Sequence, residues 1–303
     1  MLYNLRLCII LLIILIILFI IIIYLYKYQY HIIKNYKLQN KPVYKKKSKY
    51  QLIELYQKND KFALFLNKEI QCMSNEYYIS HYLQCYLTVS KYKPKKVLIL
   101  GGGDLLCAYM VLKFPFVEKV TMVEIDKEMI NMVKNNKIMM NITNNVIYNP
   151  KLKISYQDAF KYVMKTNDKY DMIIEDIEYD FTKQEIEIDE YEYIKKCFKI
   201  SNIICMTFDI NDNSIFDDDE EYPIIRKLMN KYNNNKHYKN YQYIKIKNKI
   251  NILKELEYSN NFITQMKNSG ILKDIDIYVL GYQYNELFGY EAYVVFENKK
   301  LIN

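Results

Sequence analysis

Four carboxylates stand where short apolar runs end. Asp104 closes Lys96-Val-Leu-Ile-Leu-Gly-Gly-Gly-Asp104, Glu124 follows residues 119–123, Asp158 follows residues 152–156, and Asp176 ends Tyr170-Asp-Met-Ile-Ile-Glu-Asp176. Brought together, such acids form a pocket suited to a cationic ligand, and a carboxylate beside an amine can take its proton. Three glycines, Gly101, Gly102 and Gly103, precede the first acid. Glycine lets the chain turn sharply there and lets a ligand approach the main chain. Glu124 falls about 20 residues past the glycines, where an open α/β sheet bonds ribose hydroxyls.

A dinucleotide fingerprint needs G-x-G-x-x-G. Gly101 and Gly103 fit it, but Leu106 holds the third glycine position. The helix start is therefore not shaped for a pyrophosphate, which points to a nucleoside without phosphates, such as S-adenosylmethionine and its relatives. Plainer readings stand beside this one. The glycines alone would serve as a strand-to-helix connection. Asp104 and Asp158 both sit where a helix N-cap is needed. Glu124 and Asp126 have the position of ordinary strand-end acids, Asp176 that of a surface acid in a loop, and His81 that of a packed helix residue.

The elements that must hold these residues follow from periodicity. Strands are expected over 50–57, 61–66 and 69–73, then a helix over 77–89. The glycine strand comes next, followed by a helix to Lys113 that stops before Phe114-Pro115. Further strands are expected over 119–123, 152–156, 170–174 and 202–208. Helices over 128–137, 160–165 and 189–198 lie between or beside them. Such alternation argues for a mostly parallel sheet covered on both faces, with ligands at the carboxyl ends of its strands. A helix over 252–268 and an antiparallel pair, 275–283 with 290–297, finish the chain. The acidic run 217–221 and an Asn/Lys/Tyr-rich insertion around 231–249 read as solvated surface.

The chain has 303 residues and a net charge of +8, with 33 Tyr, six Gly, five Pro and no Trp. This composition reflects a bias toward AT-rich codons, so neither the charge nor the Tyr and Lys clusters argue for nucleic acid. No RNA-binding signature supports such a partner. Six cysteines without a C-x-x-C pair suggest reduced thiols in a cytosolic domain. After a short tail, 1–6, residues 7–26 are uncharged and almost wholly Ile and Leu, enough to cross a bilayer as one helix. The apolar region is too long for a cleaved signal peptide. Residues 27–47 read as a basic tether, and its lysines place the body on the cytosolic side by the positive-inside rule. The expected domains are then a β unit with a linking helix, 48–90, and a sheet domain, 91–303.

Taken together, these motifs resemble the polyamine aminopropyltransferases, the spermidine and spermine synthases. The likeness runs through Ser48-Lys-Tyr-Gln51, Leu64-Phe-Leu-Asn67 and Ile70-Gln71, then Val97 to Asp104, Val117-Glu-Lys-Val120 and Met122-Val-Glu-Ile-Asp126. Asp158-Ala159 and the Tyr170–Asp176 segment complete it. The resemblance implies an S-adenosylmethionine-dependent methyltransferase-like (Rossmann-like) sheet behind a small N-terminal β unit. It implies decarboxylated S-adenosylmethionine as donor substrate, a polyamine such as putrescine as acceptor, and neither prosthetic group nor metal. By the same likeness, Gln51 and Gln71 contact the donor, Asp104 its propylamine end, Glu124 its ribose and Asp158 its adenine amine. Asp176 is the base, and His81, Asp180 and Tyr278 fall on the acceptor side.

The departures lie mainly in the acceptor half. Leu105 replaces the glycine of G-G-G-D-G, only His81 survives of Y-H-E, and the second acid of D-x-x-D falls on Tyr179, with Asp180 one place late. A methyltransferase using intact S-adenosylmethionine and a catalytically inactive nucleoside-binding or interaction domain remain as alternative readings. The sequence leaves open whether the chain forms a homodimer.

Overall fold

The computed structural model describes residues 2–74, 77–177, 189–210, 243–255, 260–285 and 289–299. Asp180, the acidic run 217–221 and residues 231–242 lie outside them. The chain divides into two units, Met1–Glu76 and Tyr77–Asn303.

In the first unit, α1 (Leu2–Asn35) is one helix of 34 residues. Within its span Cys8–Asn35 an 18-residue window has mean hydropathy 3.8, and the large side chains from Ile9 to Tyr26 are exposed. The expected tether over 27–47 is corrected. The helix continues past residue 26 to Asn35, and β1 (Tyr44–Lys47) pairs antiparallel with β2 (Leu52–Lys58). The physical reason is that this stretch has apolar and polar partners that its lysines conceal. Ile32, Ile33 and Leu38 are buried, and Gln29 Nε2 donates to Tyr56 Oη at 2.7 Å. Lys45 meets Glu54, an acid only 3% exposed, at 2.7 Å. β3 (Lys61–Leu66) and β4 (Glu69–Met73) complete a four-stranded sheet in the order β1-β2-β3-β4. Asn59 and Asn67 turn the hairpins with positive φ, a conformation that asparagine adopts more readily than most residues.

The second unit begins with a helix in three pieces: α2 (Tyr77–His81), a π-helical segment (Tyr82–Leu87) and α3 (Thr88–Tyr92). The expected boundary near residue 90 therefore moves to 76/77. The reason is burial: Leu83, Cys85, Thr88 and Val89 are fully buried, and Gln84 Nε2 donates to the Glu175 carbonyl at 2.8 Å.

The sheet contains β5 (Lys96–Gly101), β6 (Lys119–Val123), β7 (Leu152–Ser155), β8 (Met172–Asp176), β9 (Ile203–Ile210), β10 (Tyr243–Lys245), β11 (Ile275–Asn285) and β12 (Gly289–Asn298). Their order is β10-β11-β12-β9-β8-β5-β6-β7. The run from β7 to β9 is parallel, and β12, β11 and β10 add on antiparallel. Val97, Leu98, Ile99 and Leu100 of β5 are all fully buried, as a central strand covered on both faces requires. The chain runs outward from β5 to β7, then returns to β8 on the other side of β5. This reversal opens a crevice at the carboxyl ends of β5 and β8.

The helices are α4 (Leu106–Leu112), α5 (Lys127–Asn135), α6 (Lys137–Ile142), α7 (Ala159–Lys165), α8 (Glu190–Ile200), α9 (Lys249–Glu255), α10 (Asn260–Asn268) and α11 (Ile271–Asp274). The single helix expected over 252–268 is replaced by α9 and α10. α6 is an addition, begun by Asn136, whose side chain accepts from Met139 N.

Burial at the end of α1 separates a docked helix from a tether. Ile32→Asp places an unpaired carboxylate at a fully buried position and is expected to destabilise the first unit by about 3 kcal/mol or more. Limited proteolysis of the full-length chain in micelles, mapped over residues 36–74, reads this out. Unchanged resistance would mean that the segment is a tether after all.

Candidate functional site

β5 ends in a main-chain turn made possible by glycine. Gly101 and Gly102 have φ of +81° and +78°. A Cβ on Gly101 would lie 2.2 Å from the Asp176 carbonyl oxygen, and Gly102 N donates to that oxygen at 3.1 Å. Gly103 has the same constraint on its other side, where a Cβ would meet Glu124 Oε2 at 2.8 Å. The turn thus packs directly against the ends of both neighbouring strands. Leu105 takes φ +67° while fully buried, so the backbone keeps the left-handed turn that the missing glycine would favour.

Asp104 has two roles. Its Oδ1 accepts from Leu106 N at 2.9 Å, and its Oδ2 lies 3.8 Å from His81 Nε2. Asp176 Oδ2 lies 4.0 Å from the same nitrogen. His81 is 8% exposed, and its Nδ1–H donates to the Tyr77 carbonyl at 2.8 Å, which turns Nε2 toward the two acids. One ligand atom from each of His81, Asp104 and Asp176 falls within 4.8 Å of the other two. Three such atoms from three elements suit a cationic guest, whether an ammonium group or a metal ion.

Glu124 accepts from Asp126 N at 2.7 Å, and burial pushes its carboxyl up to about 7. Asp126 caps α5 through Glu128 N, and Asp158 caps α7 through Lys161 N at 3.0 Å. Capping explains the presence of Asp126 and Asp158 without any ligand. Gln51 immediately precedes β2 and Gln71 lies on β4, both in the first unit and both half-buried. Tyr278 is not brought to the acids. Pairing places it level with Ile174 through Val295 and Cys205, three strands away, or about 14 Å across the sheet. There its ring faces Lys91 Nζ at 4.0 Å.

Three further residues matter that their motifs did not reveal. Gln84 anchors the π-helical segment to β8 through the Glu175 carbonyl. Glu175, buried among apolar neighbours, accepts from Tyr193 Oη at 3.0 Å, and burial pushes it up to about 7. An acid inside the apolar run of residues 172–176 was the available signal.

The comparisons with known proteins can be set against this geometry. The family model for the spermine/spermidine synthase domain matches residues 75–248, more than half of the chain. The chain belongs to the spermine/spermidine synthase family. The polyamine aminopropyltransferase 2 of Bacillus cereus is 36% identical over 135 residues, and that of Aquifex aeolicus is 36% identical over 129. These alignments cover 44% and 42% of this chain but only 37% and 26% of the relatives. Among solved structures, spermidine synthase from Thermotoga maritima superposes with TM-score 0.57 at 17% identity, over 86% of this chain and 73% of that one. A spermidine synthase in complex with the transition state analogue AdoDATO gives TM-score 0.55, with the same identity and coverage. These structures establish the family's sheet as the fold.

Two buried acids in one sheet give the protein a pH signature. A carboxyl raised from 4.5 to about 7 favours folding while protonated. That contribution is complete below about pH 4.5 and is lost as pH rises through 7. In urea denaturation, Glu175→Gln should therefore gain on wild type as pH goes from 5 to 8. A difference between the two proteins that does not change with pH would contradict the assignment.

Proposed function

We propose that the chain transfers an aminopropyl group from decarboxylated S-adenosylmethionine to a polyamine. The observation that carries this reading is the meeting of Asp104, Asp176 and His81 at the β5–β8 crevice of a family member. The donor is a sulfonium bearing an extra ammonium, and a di- or polyamine acceptor is a polycation, so facing carboxylates match both. Glu124 holds the ribose, the glycine turn supplies close main-chain approach, and Asp104 takes the donor's ammonium. In the same reading Asp158 receives the adenine amine.

Chemistry then follows from charge. The acceptor amine has an ordinary pKa near that of lysine, about 10.4, and must lose a proton before it can attack. Asp176 takes that proton. The nitrogen attacks the propyl carbon next to sulfur, the C–N bond forms as the C–S bond breaks, and the sulfur leaves as a neutral thioether. No general acid is needed for such a leaving group. Putrescine is the simplest acceptor in this reading, and the family likeness assigns Asp180 to it.

The anchor belongs to the same proposal. A 34-residue helix with exposed isoleucine and leucine over residues 9–26 supports a single-pass membrane protein, and the lysines that follow support a cytosolic body. Full-length chain should stay with membranes after an alkaline carbonate wash. Its release into the soluble fraction would remove the anchor from the account.

Catalysis is tested on the full chain in micelles with the donor and a panel of amines. Asp176→Asn is expected to lower turnover by about 10²-fold or more while donor affinity stays within a few-fold. Donor binding without transfer to any amine would reduce the domain to a ligand-binding one. An Asp176→Asn enzyme with wild-type turnover would remove the base.

A further inference from the structure

Two buried thiols next to the acids have no part in the chemistry above. Cys85, in the π-helical segment, and Cys107, in the first turn of α4, are both fully buried, with their sulfurs 2.9 Å apart. A third buried thiol, Cys205, is close enough to interact electrostatically with both, but its Sγ contacts the Gln84 carbonyl at 3.5 Å and Thr88 Oγ1 at 3.8 Å. A π-helical turn inside a helix is itself a frequent mark of a functional segment.

We propose that Cys85 and Cys107 form a redox-modification site, converted by peroxide into an intramolecular disulfide that joins the π-helical segment to α4. The sulfurs need to close by only about 0.9 Å to reach a disulfide bond length of about 2.05 Å. The balance is that of two thiols and one peroxide. Cys85 loses its proton and attacks one peroxide oxygen. The O–O bond breaks, the sulfur becomes a sulfenic acid, and the leaving hydroxide takes the released proton as water. Cys107 sulfur then attacks that sulfenic sulfur, and its own proton leaves with the departing hydroxyl as a second water. Two electrons pass from the sulfur pair to the peroxide.

Burial sets the rate. It pushes the Cys85 thiol up to about 11 and raises the Cys107 thiol as well, so the reaction is slow. A second thiol already in contact traps the sulfenic acid before it can oxidise further. A reversible intracellular disulfide of this kind is a sensing device rather than a permanent staple. Its position matters, because His81 lies one helical turn before Cys85 and Asp104 three residues before Cys107. Drawing the sulfurs together therefore acts on the two elements that directly follow this pair of site residues.

The test does not depend on the proposed activity. Full-length protein in micelles is held with excess hydrogen peroxide until its free-thiol count stops changing, then denatured, alkylated with N-ethylmaleimide and digested without reductant. The expected product is a peptide pair joined through Cys85 and Cys107, two hydrogens lighter than its parts and separated by dithiothreitol. In Cys107→Ser the link should vanish, with Cys85 advancing to the sulfinic acid. Three results would overturn the proposal: full alkylation of both thiols at the end point, over-oxidation of wild type without the link, or pairing of either residue with a different cysteine.

Discussion

The end of β5 lies against the end of β8 so closely that no side chain fits between them. A Cβ on Gly101 would fall 2.2 Å from the Asp176 carbonyl oxygen, and Gly102 N bonds that same oxygen. This contact sets the spacing of the whole site, because Asp104 leaves from one strand end and Asp176 from the other. Gly103 extends the constraint to Glu124, just past the end of β6. Three strand ends are thereby held in register by one main-chain turn, and their acids share a single crevice. Glycine at 101 and 102 is a consequence of positive φ as well as of space. Leu105 bears the same backbone conformation without that freedom and is held there by full burial.

Acids gathered in this way must be compensated. Asp104 and Asp158 spend one oxygen each on helix N–H groups, and Asp126 does the same for α5. Glu175 leans on Tyr193, and Glu124 on the Asp126 amide. His81 stands between Asp104 and Asp176 with its other ring nitrogen fixed by the Tyr77 carbonyl, so its orientation is decided by α2 and not by the acids. A polycationic guest would complete the same balance, which is why the arrangement favours an amine over a neutral nucleoside.

Much of this was legible in the sequence because parallel central strands are continuous apolar runs that end abruptly in polar residues. The glycine turn, the four strand-end acids and the final antiparallel pair could all be read that way. What escaped depended on packing. Residues 27–47 look like a tether because lysines hide Ile32, Ile33 and Leu38, whose burial is visible only once the β unit is folded. The π-helical segment leaves no periodic signature within six residues. The family likeness put Tyr278 on the acceptor side, whereas strand order puts it across the sheet from the acids. Gln84 reaches over 91 positions to Glu175, a separation that no local pattern reports.

The proposed function depends above all on Asp104, which in that reading accepts a cationic donor end and repels an anionic one. Intact S-adenosylmethionine carries a carboxylate on that end, and the decarboxylated form does not. Isothermal titration of the full chain with each compound measures the claim directly. Tighter binding of the decarboxylated form, with the preference erased in Asp104→Ala, is the predicted result. Equal or tighter binding of intact S-adenosylmethionine would contradict it.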